Sequence, residues 1–180
     1  MLKRQGAWPT LMMSNLMELE KSLREEPSIG VARGAEDVRR GVMRLLMQTG
    51  DMPICELILP NGRRADVAAL ARDGTVLIVE IKSSVADFRS DQKWPDYRAF
   101  CDKLFFAVGR EFPSEILPPE CGLILADRYG GEIVRDAPVH ARLTAARRKS
   151  LTLQIARVAA ARLAAQLDPR LSELFNDTSE

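Results

Sequence analysis

A chain of 180 residues, 46% apolar and 28% charged, is the size of one domain with some extension and can bury its own core. Its formal net charge of +1 excludes a strongly basic DNA-coating protein, and no apolar run is long enough to span a bilayer. Three well-separated cysteines (Cys55, Cys101, Cys121) and one histidine, His140, exclude most zinc sites, argue against a disulfide framework and leave the chemistry to carboxylates and lysine.

Residues 1–30 read as an N-terminal extension, with a short helix near Ser14–Arg24 followed by the breaker run EEPSIG. Asn15, Glu18 and Glu20 interrupt its apolar residues, so it lacks the unbroken apolar region of a signal peptide, and a cytoplasmic location is expected. From Ala35 to Thr49, Val38, Val42, Leu45 and Leu46 recur at helical spacing, and Gly50 is a stop signal. Three strand-like runs follow at 54–59, 64–71 and 75–82, separated by the turn signals Pro60-Asn61-Gly62 and Arg72-Asp73-Gly74.

Ser84 and Asp87 have the form of a helix start, so helix is expected from Val85, and Pro95 suits the first turn of a second helical piece. Buried strands are expected at Leu104–Val108 and Leu123–Ala126, and a short strand at Glu132–Arg135 after Gly130-Gly131. Ala141–Leu167 reads as one long helix or two, and residues 169–180 as a flexible tail. Two hairpins followed by a helical crossover imply an α/β (α+β) domain over residues 31–168, with a mixed central sheet flanked by helices. Between Arg135 and Arg170 eight basic residues face two acidic ones. That suits a polyanion, and it equally suits a solvated helix face.

The candidate chemistry lies in Glu56, Asp66, Glu80 and Lys82. Glu80 and Lys82 are two apart in TVLIVEIK, an otherwise apolar run typical of a strand buried on both faces. If Arg72-Asp73-Gly74 is a three-residue loop with Gly74 left-handed, Ala71 pairs with Thr75 and Asp66 falls opposite Glu80. The same loop type at Pro60-Asn61-Gly62 pairs Leu59 with Arg63 and sets Glu56 opposite Asp66. Two-residue loops would shift each register by one and scatter the acids. The favoured register lines up three carboxylates that repel one another, an arrangement a divalent cation makes tolerable. Oxygen ligands without histidine or cysteine favour Mg²⁺ or Mn²⁺. The competing structural reading is a strand-end ion pair of Glu80 with Lys82, and edge carboxylates at Glu56 and Asp66.

Helix, three antiparallel strands, helix and strand, with Asp66 on the second strand and Glu80-x-Lys82 on the third, resembles the PD-(D/E)XK nucleases and their restriction-endonuclease-like core. More closely, VEIKSS…DF…DQKWPDY…CDKLFFAV is similar to the MmcB-like DNA repair protein family, over about residues 35–165. The resemblance implies metal-dependent DNA nuclease chemistry in bacterial DNA repair, with DNA as partner, other repair proteins as possible partners and a nucleoid-associated location. It implies Asp66 and Glu80 as metal-ligand acids and Lys82 as the motif lysine, and Ala65 stands where the motif has proline. Glu36 matches an extra helix acid of the superfamily, and equally suits simple pairing with the helix dipole. Gln92 and Tyr97 loosely match a pair carried by recombination-type members. Tyr97 and Trp94 could stack on a base or belong to the core. Lys93, Arg147 and Arg148 are candidate phosphate contacts. The alternative on the same fold is a catalytically silent DNA-binding or adaptor protein, and a third reading is an RNA-directed nuclease.

Overall fold

The computed structural model describes residues 34–91, 93–139 and 142–171. The helix expected at Ser14–Arg24, Gln92, His140 and most of the C-terminal tail lie outside them. Helix α1 (Ala35–Thr49) precedes β1 (Met52–Ile58), β2 (Arg64–Leu70) and β3 (Val76–Ile81). Short helix α2 (Val85–Ser90) and a 3-10 helix (Trp94–Phe100) lead to β4 (Lys103–Val108), β5 (Gly122–Ala126) and β6 (Gly131–Arg135). Helix α3 (Ala145–Leu167) closes the described chain as one helix. The six strands form one mixed sheet in chain order. The pairs β1–β2, β2–β3 and β5–β6 are antiparallel, while β3–β4 and β4–β5 are parallel. This is the expected mixed α/β architecture.

Local chemistry sets these elements. Gly50 ends α1 in the left-handed region (φ 87°), returning its N–H to the Leu46 and Met47 carbonyls. Ser84 caps α2 by accepting from the Asp87 N–H. Gly62 (φ 77°) and Gly74 (φ 82°) take the left-handed positions of the two hairpin loops, and Leu59 and Ala71 pair with Arg63 and Thr75.

Val38, Val42 and Leu46 of α1 pack on one face of the sheet, against Val67, Val79, Phe105 and Ile124. Leu151 and Ile155 of α3, with Tyr97 and Cys101, cover the other face, against Ala68, Ile78, Leu104 and Phe106. Each fully buried aliphatic side chain contributes about 1.5–3 kcal/mol. α1 approaches the β5–β6 turn so closely that a Cβ at Gly41 would run into the Asp127 and Gly130 carbonyls.

The edge strand β1 is capped from α3. Gln154 donates to the Ile58 carbonyl, and Arg162 to the carbonyls of Cys55 (2.5 Å) and Glu56 (3.2 Å). These contacts satisfy main-chain groups that an edge strand otherwise leaves open to foreign pairing.

Candidate functional site

The hairpin registers are those the loops predict: Val67 lies opposite Val79, and Cys55 and Leu57 lie opposite Val67 and Ala65. The ladder skips the Glu56–Asp66 step and stops at Val67–Val79. Glu56 has φ 54°, the one described non-glycine residue with positive φ. Such a conformation costs roughly 1–2 kcal/mol. The side-chain alternation breaks at the same step. Ile54 and Leu57 are three apart yet join one core cluster, as do Ala65 and Ala68, whereas a regular strand puts residues three apart on opposite faces. The expected single row of three carboxylates therefore needs correction. Register is kept, but Glu56 sits on a kink, and its carboxylate is engaged by Arg39 (3.4 Å) and Arg64 (2.6 Å).

Beside the kink lies a cleft of about 600 Å³ between the start of α1, the far end of β3 and the α2 turn. Six acids line it (Glu36, Glu56, Asp66, Glu80, Asp87 and Asp91) against two bases, Arg39 and Lys82. Glu36, on the first turn of α1, is exposed and paired with Arg39 and Arg40.

Asp66 is half-buried and accepts the Ile81 N–H at 2.8 Å, a donor that β3 leaves free where the ladder stops. Burial pushes its carboxyl above the usual range, against the Ile81 N–H and the Lys82 ammonium. Glu80 is 5% exposed. Burial first, and the Asp66 carboxylate second, push its carboxyl up to about 8. Its Oε1 accepts from Lys82 Nζ at 3.3 Å, while its Oε2 is buried and accepts no hydrogen bond; protonated, Glu80 is a hydrogen-bond partner of the Asp91 carboxylate.

Lys82 is 3% exposed. Burial opposes its charge, but the hydrogen bond to Asp91 and the surrounding carboxylates outweigh that and hold its pKa above the ordinary lysine value. The Lys82–Asp91 contact is 2.5 Å. Asp91 escaped the sequence reading: it follows a helix end, and nothing in its neighbours marks it as facing a lysine nine residues back.

These residues fit a hard divalent cation. An orphaned buried carboxylate oxygen on Glu80 stands near the Asp66 carboxylate, which raises the proton affinity of Glu80. Among the described residues no group of three or more His, Cys, Asp and Glu side chains is arranged to hold a metal. Two carboxylates with water or phosphate completing the shell is a pattern magnesium accepts and a structural zinc does not.

Other expected contacts lie elsewhere. Tyr97 is buried and donates its hydroxyl to the Arg64 carbonyl at 3.0 Å, so its ring is core and cannot stack on a base. Trp94 packs edge-on against Phe106, 5.7 Å between ring centres. Arg148 is committed to Asp102 (2.6 and 2.9 Å) and the Gly74 carbonyl, by the opposite end of β3. Arg147 donates to the Ala99 carbonyl and lies over the Phe100 ring, outside the cleft lining. Lys93 is exposed at the start of the 3-10 helix.

A family model described as DNA repair protein MmcB-like matches residues 25–170. The chain belongs to the MmcB-like DNA repair protein family. A solved structure described as "SPO1766 protein of unknown function from Silicibacter pomeroyi" is 44% identical to this MmcB-like chain. The match covers 77% of this chain and 94% of that one, with a TM-score of 0.74. No curated protein matches the chain. No helix among the described residues of this MmcB-like protein is long and apolar enough to cross a membrane.

Proposed function

We propose that this MmcB-like protein is a Mg²⁺- or Mn²⁺-dependent DNA nuclease of the PD-(D/E)XK kind, hydrolysing a phosphodiester during DNA repair. The observation that carries the reading is Glu80: a buried carboxylate with one unpartnered oxygen, beside Asp66, at the end of a central strand. Asp66 and Glu80 would hold the ion, and a bound ion would supply an activated water and neutralise phosphate charge. Glu80 gives up its proton to take that role, so affinity for the ion rises with pH toward 8. The Ile81 N–H fixes one Asp66 oxygen and so the direction in which the other points. Lys82 keeps its charge and offers ammonium donors to a phosphate oxygen, stabilising charge that grows during the displacement.

The reading that competes is a non-cutting DNA-binding or adaptor protein. It draws support from Glu36 and Glu56, two cleft acids already neutralised by arginines. Incubation with supercoiled plasmid, single-stranded and branched DNA in Mg²⁺ or Mn²⁺ separates the two. The nuclease reading expects cutting that EDTA stops and that Lys82→Ala and Asp66→Asn reduce by about a hundredfold or more. Absence of cutting on every substrate favours the adaptor, and undiminished cutting by both variants removes Asp66 and Lys82 from the reaction.

A further inference from the structure

A lysine on a flexible four-carbon stem acts at one point in space only if something holds its ammonium there. In the cleft two carboxylates hold Lys82: Glu80 at 3.3 Å and Asp91 at 2.5 Å. Glu80 is also the buried acid with an orphaned oxygen, the one a cation would engage. Once its charge is shared with an ion, its grip on Lys82 weakens, and Asp91 is the remaining close anion.

Asp91 is built for that task. Its backbone N–H closes the end of α2 on the Asp87 and Phe88 carbonyls (3.2 and 3.3 Å). Its Oδ1 accepts the Lys93 N–H at 3.0 Å, leaving Oδ2 on Lys82. Helix α2 is fixed at its start by Ser84 capping Asp87, and in its middle by Phe88 packed edge-on against Phe106 at 5.7 Å. The short helix thus works as a bracket between the sheet and the carboxylate that grips the lysine.

We propose that Asp91 is a positioning residue of this site, holding the Lys82 ammonium in place when Glu80 engages the cation. The proposal rests on the nuclease reading for its consequence on rate, and on the geometry alone for its consequence on Lys82. Asp91→Ala should lower kcat by about a hundredfold, the scale expected when a catalytic group is misplaced by an ångström, with KM and Mg²⁺ affinity unchanged. Asp91→Glu should restore part of the rate, and the near-isosteric Asp91→Asn serves if the alanine variant folds poorly. Independently, acetylation by acetic anhydride followed by peptide mass spectrometry reads the accessibility of Lys82 with and without Mg²⁺. Lys82 should be protected in the wild type with or without Mg²⁺, and reactive in Asp91→Ala when Mg²⁺ is present. Wild-type kcat with a still-protected Lys82 overturns the proposal, as does a raised KM at unchanged kcat. If the wild type cuts nothing, the nuclease reading fails by itself and the labelling decides for Asp91: a reactive Lys82 in the variant supports it, a protected one overturns it.

Discussion

Buried acids flank strand β3 at both of its ends, and the two are built on opposite terms. Beside its start, Asp102 is 6% exposed and fully satisfied. Its oxygens accept from Val76 N (2.8 Å), Leu143 N (3.0 Å) and both terminal nitrogens of Arg148. Burial works against its charge, but Arg148 and the two N–H groups hold its carboxyl at about 2. About 13 Å further along the strand, Glu80 is as buried, yet one oxygen is orphaned and its carboxyl stands at about 8. An unpartnered oxygen alone does not separate the two roles, since the turn acid Asp127 also has one. What sets Glu80 apart is that its orphaned oxygen comes with a raised pKa at the lining of a cleft, as expected of an acid that meets a ligand from outside.

The sharpest way to break this contrast is to delete each acid in turn. Asp102→Ala strands Arg148 and should cost about 3–5 kcal/mol in urea unfolding, as removal of one member of a buried pair does. Glu80→Gln should raise metal-free stability at pH 8, on the order of 2 kcal/mol, because the folded wild type must hold there a charge that its surroundings disfavour. Equal losses from both substitutions would abolish the distinction.

The pH dependence sharpens it with opposite signs. The folded pKa of Asp102 lies below its ordinary value of 3.8, so its contribution is present above that value and lost as pH falls toward 2. The folded pKa of Glu80 lies above its ordinary value of 4.5, so between 4.5 and about 8 the unfolded chain binds fewer protons than the folded one. Metal-free stability should therefore fall as pH rises through that window, and Glu80→Gln should flatten the slope, as read by chemical denaturation at a series of pH values.

A smaller effect is expected at Arg162, whose guanidinium holds the carbonyls of the Cys55–Glu56 kink. Arg162→Ala should lower stability by about 1 kcal/mol, as read by chemical denaturation. The smallest belongs to Arg147, exposed and outside the cleft. Arg147→Ala should change stability within about 0.5 kcal/mol and leave DNA affinity, read by fluorescence anisotropy, unaltered.

The sequence made the sheet legible because its loops are chemically explicit. Gly62 and Gly74 at left-handed positions fix both hairpin registers, and with them the neighbourhood of Asp66 and Glu80. The apolar run around Glu80 and Lys82 likewise announced a strand buried on both faces. Three features were not legible. The kink at Glu56 places a residue without special backbone freedom in the left-handed region, so no local signal marks it. Arg148 reads as one more cation on a basic helix, and only the fold brings it to Asp102, 46 residues earlier in the chain. Asp91 is bound to Lys82 through a helix end, an approach that strand register does not describe. Periodicity and turn chemistry report how elements are laid down; long side chains choose partners after the elements have packed.

The measurement that bears most directly on the cleft is calorimetric titration of the metal-free protein with Mn²⁺ at pH 8, on the wild type, Asp66→Asn and Glu80→Gln. We expect one saturable binding event in the wild type, accompanied by proton release that depends on buffer ionisation heat, and its loss in both variants. Indifference of the wild type to Mn²⁺, or equal binding by all three proteins, would mean that the orphaned oxygen of Glu80 is not a ligand in waiting.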